Sequence, residues 1–301
     1  MRNLLSTLLL VALANGAGGQ NAPSLFKDDA IDLKESAVLH DSKIFVVPYA
    51  TVLASANGGL WVTGGNVKLH ARFFVLGIDK ATMQDLSLKL HTDLVTKLRG
   101  IGLTVLTYDD VKDHDVMKGA DRRTPDRDPK YDGMNTTKDR GGDANFVVAT
   151  ATDEMNIKPA LQGAHWGLRG IAKDRNAVLL VPEYWFSLPI VVGKGEDGYT
   201  EDKAAVTVLP GMKLHKANAL FINQKTRGGT IQIRWNHKVS DDVGTVVKGA
   251  TDDFSFGEFK RGSADFTLTL DKAKFVAGAL RGGYAFNDVL VATAKKEQER
   301  Q

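Results

Sequence analysis

Met83, Leu86, Leu90, Leu94, Leu98 and Ile101 recur every three or four residues, and no other segment limits the possible folds of this chain as strongly. A helix gathers them into one apolar stripe that has to be covered. Thr82 and Asp85 stand where a capping side chain and an acidic first turn belong. Lys97 and Arg99 suit the negative end, and Gly100 or Gly102 can stop the helix. An apolar segment lies on either side. Residues 67–78 alternate at Val67, Leu69, Ala71 and Phe73 and then run apolar through Phe74, Val75 and Leu76. Residues 103–108 follow the helix as a short strand. Strand, amphipathic helix and strand in close succession predict an α/β layer with the stripe lying on a sheet.

The rest of the chain adds to that layer. Residues 43–53 contain the apolar run Ile44-Phe45-Val46-Val47, read as a buried strand. Asn57-Gly58-Gly59 and Gly64-Gly65-Asn66 read as turns around residues 60–63. A second helix is expected over 160–175, with Leu161, Ala164, Leu168 and Ile171 inward and Asn176 as its stop. Residues 177–192 are strongly apolar but carry Pro182 and Pro189, which argue for a bulge or an edge. Further on, Ile231, Ile233 and Trp235 alternate with polar residues, as do Ala264, Phe266, Leu268 and Leu270. Helix is expected at 272–280 and again from Asn287. The expected class is α/β (α+β): a mixed sheet packed with two amphipathic helices, continuing into a β-rich C-terminal part with a terminal helix. The division reads as 1–14, a flexible lead 15–39, an α/β domain 40–195, and 196–301, either a separate unit or part of the same domain.

The order of strand 43–49, the helix at Thr82, strand 103–111, and Gly170-Ile171-Ala172 leading into 177–182 resembles the layout of the curli-secretion lipoprotein family. The N-terminal domain of the TolB translocation proteins is similar. The resemblance covers residues 43–192 and is one of layout. It implies a sheet-and-helix fold and a role in the cell envelope, although the chain has no cysteine to carry a lipid.

The first fourteen residues read as an export signal: Arg2, an apolar stretch from Leu4 to Leu13 broken only by Ser6 and Thr7, then Ala12-Leu13-Ala14. Cleavage is expected after Ala14, with Ala17 as the second choice. The run is shorter than the ~20 residues of a membrane anchor, and no later segment reaches that length. With no cysteine there are no disulfides and no thiolate chemistry. A large exported chain without disulfides fits a periplasm best and secretion second. A formal charge of +3, lowered to +2 once Arg2 is removed, gives no electrostatic footprint for nucleic acid.

Several stretches have residue types suited to chemistry. Gly193, Gly195 and Gly198 have dinucleotide-loop spacing, but the next residues read as a strand, so the required helix is missing and a polar hairpin is expected. Residues 109–143 hold ten Asp and eight Lys or Arg with few apolar side chains. That mixture predicts a mobile excursion, open to proteolysis around Arg122, Arg123 and Arg127. The same stretch offers oxygen ligands for calcium at Asp109, Asp110, Asp113 and Asp115, beside His114, and at Asp126, Asp128 and Asp132. A self-paired, solvated loop is the competing reading. The seven histidines form no H-E-x-x-H pair, and there is no G-x-S-x-G. Glu183 and Trp185 share one strand face as a ligand or partner surface, or else lie buried between layers. The functional expectation is a non-catalytic envelope protein that binds a partner or itself. The alternatives are a hydrolase sited near 109–143 and a calcium-stabilised binding module.

Overall fold

A computed structural model describes residues 25–131, 133–138, 144–158, 166–196, 203–233, 236–256 and 259–300. The chain enters through β1 (Ile31–Lys34), β2 (Ile44–Val46), β3 (Thr51–Gly64) and β4 (Val67–Leu76), then α1 (Lys80–Gly100) and β5 (Thr104–Leu106). Two single turns, α2 (Tyr108–Val111) and α3 (Asp115–Lys118), lead to β6 (Asn135–Lys138), β7 (Asn145–Ala149) and α4 (Arg169–Asp174). The second half runs β8 (Val178–Ser187), β9 (Ile190–Glu196), β10 (Lys203–Leu209), β11 (Met212–Ile222), β12 (Gly228–Ile233) and β13 (His237–Ser240). It ends with β14 (Gly244–Phe256), β15 (Phe259–Leu270) and α5 (Lys272–Gln298).

The fold class is α/β, with a mixed sheet at its centre. β2 lies parallel between β5 and β8, and β3 continues along β8 after a break at Val47-Pro48-Tyr49-Ala50. The main path runs β1-β12-β11-β8-β3-β4-β15-β14, with β15 parallel to β4. Strands from both sides of residue 195 therefore belong to one sheet.

The sheet separates two cores. On one face Met83, Leu86, Leu90, Leu94 and Leu98 of α1 pack with Phe45, Val52, Tyr184, Phe186 and the α5 residues Phe275, Ala279 and Phe286. On the other, Val46, Leu179 and Val181 meet Tyr108, Val111, Met117 and Ile171. The stripe is inward as its spacing predicts. The helix begins earlier than Thr82, however, because Asp79 is the better cap and accepts from the Thr82 N–H at 2.8 Å.

Other expectations are corrected. Asn57-Gly58-Gly59 is the interior of β3, and the turn lies at Gly65-Asn66, where Gly65 takes φ 51°. Pro182 sits in a central strand, where β8 changes partner from β2 to β3, and Pro189 follows a cis bond. The terminal helix is continuous through Gly282-Gly283. Residues 25–39 are packed rather than flexible: Phe26 and Leu39 are buried, β1 pairs with β12, and Ser36 donates to Glu297 of α5 at 2.7 Å. Of the second predicted helix, 169–174 is present with Ile171 buried, and Asn176 at φ 48° follows it. Leu161, Ala164 and Trp235 lie outside the described residues.

The charged segment is built into the fold. Its few apolar residues decide this: Val111 and Met117 enter one core, while Tyr131 and Met134 enter the other. The Tyr131 hydroxyl also accepts from Asn57 Nδ2 at 2.7 Å, and β6 pairs with β7. The expected mobile excursion is thus replaced, over 109–131 and 133–138, by a strap around the sheet.

Candidate functional site

The aspartates of that strap serve local structure. Asp110 closes a capping box with Thr107, accepting from its N–H at 2.7 Å, which starts α2. Asp109 pairs with Lys112 at 2.9 Å and Asp113 with Lys118 at 3.5 Å. Asp115 stands in the first turn of α3, where a carboxylate suits the helix dipole. Asp126 accepts from the Asp128 N–H and the Thr136 hydroxyl, both at 2.8 Å, and Asp128 pairs with Lys130 at 2.6 Å. Lys130 in turn holds the Asp128 carboxyl below its ordinary range. Asp132 lies outside the described residues. His114 caps α3 through Nδ1 and meets Asp174 at 3.2 Å. Among the described residues no three carboxylate or imidazole side chains are placed to share a metal ion.

Glu183 and Trp185 share a face of β8, opposite the fully buried Tyr184 and Phe186, and both are half-buried. Their surroundings differ. Trp185 packs edge-on against Phe146, centroids 5.1 Å apart, with the Lys216 ammonium 5.7 Å over its ring. Its indole N–H makes only a long 3.5 Å contact to Glu183. Glu183 acts electrostatically on Tyr49 and Arg123. Burial, with Glu183 second, pushes the Tyr49 phenol far above its usual value.

The surface that stands out lies on β3, β4 and β15, and the pleat creates it. Cross-strand register aligns Trp61 with His70 and Ser263, Arg72 with Asp265, and Asn57 with Phe74, Thr267 and Val247 on β14. These side chains share one face, while Val62, Ala71, Phe73, Ala264 and Leu268 point to the other and are buried. Among the described residues the outward face remains open. Trp61 is 43% exposed, Phe74 44%, Leu76 54% and Val247 57%, so half of the large exposed apolar side chains of the described chain lie together.

This face is organised. The Trp61 and His70 rings stack at 4.1 Å and 3°, and the Arg261 guanidinium lies 4.9 Å above the indole. Arg72 is held by Asp265 at 2.6 Å. Grooves of about 330 Å³ and 320 Å³ flank Trp61, the first reaching Phe74 and Arg72, the second Lys68 and Arg261. Gly59 keeps the surface flat beside His70, since a Cβ there would lie 2.5 Å from Nε2.

The reverse side is closely packed. The β9–β10 hairpin packs on β3 so closely that a Cβ at Gly195 would lie 2.0 Å from the Thr63 carbonyl. Gly193 and Gly195 thus serve contact between hairpins, and their strand pairs antiparallel with β10, while Gly198 lies outside the described residues. The alternation of Val67 to Phe73 announced a two-sided strand, but Trp61 and Arg261 are 200 residues apart in sequence. Only the parallel pairing of β15 with β4 brings them together. Compared with family models, curated proteins and solved structures, the chain matches none.

Proposed function

We propose that this chain is an exported envelope protein that works by binding a polypeptide partner through the open face of β3, β4 and β15. The supporting observation is the clustering of Trp61, Phe74, Leu76 and Val247 on that face, next to Arg72 and Arg261. Contiguous exposed apolar surface rimmed by polar groups is typical of interaction sites, and Trp and Arg are the side chains that most often dominate them.

Charge narrows the partner. Arg261 over the Trp61 ring, beside Arg72 held by Asp265, gives the face a cationic centre that a second copy would set against its own kind. The occupant that fits is a different polypeptide, apolar with acidic residues. Export rests on Arg2, the apolar run to Leu13 and Ala12-Leu13-Ala14. Calcium has no place in this reading, and EDTA should leave the melting temperature unchanged.

The experiment is affinity capture from the native envelope with the wild-type chain and with Trp61→Ser/Phe74→Ser. The double variant should keep its unfolding midpoint and lose the captured protein. Equal capture by both would contradict the proposal. In the same material, an N-terminus at Asn15 supports export and an intact Met1 opposes it.

A further inference from the structure

Beyond the carboxyl end of β5, away from the open face, the strap closes over a cleft of about 660 Å³. That volume is in the range of small-molecule sites, roughly 300–1,000 Å³. Its position is also characteristic. β2 lies between β5 and β8, which follow it in the chain on opposite sides, and α/β sheets take ligands outside the carboxyl ends of strands at such a switch.

The charges around the cleft are mostly spoken for. Lys112 and Lys118 at the rim pair with Asp109 and Asp113, and Asp153 turns to Lys80 at 2.6 Å and Gln84 at 3.1 Å. Arg122 donates to the carbonyls of Met117, at 3.0 Å, and Ala120.

Glu154, exposed at the rim, acts electrostatically on Lys112, which leaves two groups facing inward. Arg123 is fixed through its backbone, whose N–H donates to the Asn156 carbonyl at 2.8 Å. Its guanidinium lines the cleft, is partly buried, and has no hydrogen-bond partner among the described residues; Glu183 and Tyr49 act on it electrostatically. Asn135 of β6 also lines the cleft. It is 6% exposed, and its Oδ1 has no hydrogen-bond donor. A desolvated cation and a buried orphan acceptor, on two side chains that line the same space, are each costly until something binds there.

We propose that this cleft binds a small oxyanion carrying a neighbouring hydroxyl, with the oxyanion on Arg123 and the hydroxyl donating to Asn135 Oδ1. A carboxylate or a phosphate ester would supply the same chemistry, since a guanidinium fork matches both.

The test is calorimetric titration of the full chain with glycerate against propionate, and with glycerol 3-phosphate against propyl phosphate. In at least one pair the hydroxylated member should bind and exceed its partner, and the pair that responds identifies the anion. Arg123→Gln should weaken that binding roughly ten- to a hundredfold, and Asn135→Leu should erase the preference for the hydroxyl. Absence of binding by both hydroxylated probes at tens of millimolar would overturn the proposal, as would unchanged affinity in a folded Arg123→Gln protein. If the variants do not fold, NMR of the wild type decides. Probe-induced shifts at the Asn135 side-chain amide support the site, and shifts confined elsewhere refute it.

Discussion

Asn287 has no exposed surface, yet it holds three elements together. Its Oδ1 accepts from the Tyr184 hydroxyl of β8 at 2.5 Å, and its Nδ2 donates to the Leu90 carbonyl at 3.0 Å and to Asp93 at 2.8 Å. Asn287→Leu strands a buried phenol, which costs about 1–3 kcal/mol. Adding Tyr184→Phe should recover part of that loss in urea unfolding, because both polar partners are then gone. His91 makes a pH-dependent contribution. Burial lowers its pKa, although its Nε2 lies 2.7 Å from the Val47 carbonyl. The folded state therefore holds the imidazole neutral below the unfolded value of about 6.5. Stability is complete above that value and falls as the pH drops toward the depressed folded pKa, since the unfolded chain takes the proton first. Melting temperatures between about pH 7.5 and pH 5.5 should fall more steeply for wild type than for His91→Gln. Equal slopes would show that His91 is not the group responsible.

Among the elements, α1 was legible because its spacing repeats without interruption, and β4 because its alternation matches the pleat. The strap was misread because composition hides position: four apolar side chains, Val111, Met117, Tyr131 and Met134, suffice to tie it to both cores. The terminal helix was misread for a related reason. Gly282-Gly283 looks like a break, but glycine there lets α5 lie against its neighbours. A Cβ at Gly283 would meet Leu90 Cδ2 at 2.3 Å, and Leu90 is fully buried with no room to give. Gly→Ala ordinarily stabilises a helix interior by roughly 0.5–1 kcal/mol. Gly283→Ala should instead cost about 1–3 kcal/mol, as overpacking does. Denaturant midpoints would show the reversed sign directly, and a raised midpoint would mean that α1 and α5 pack less tightly than described.

At the scale of the whole molecule, the long-range pairings made the candidate surfaces hardest to foresee. The open face needs β15 beside β4, and the cleft needs the strap drawn across β5 toward β6. Neither juxtaposition leaves a local pattern in the chain. The resulting molecule has a sheet with α1 and α5 covering one side of its parallel part, and a twisted extension whose aromatic, cationic face is left open. That open face is the central claim. A photo-crosslinking residue placed at Trp61 or Thr267 in the native host, with Leu88 on the exposed side of α1 as control, tests it most directly. The account predicts a discrete adduct with one other polypeptide from Trp61 and Thr267 and none from Leu88. Adducts of equal yield from all three positions, or from none, would contradict it.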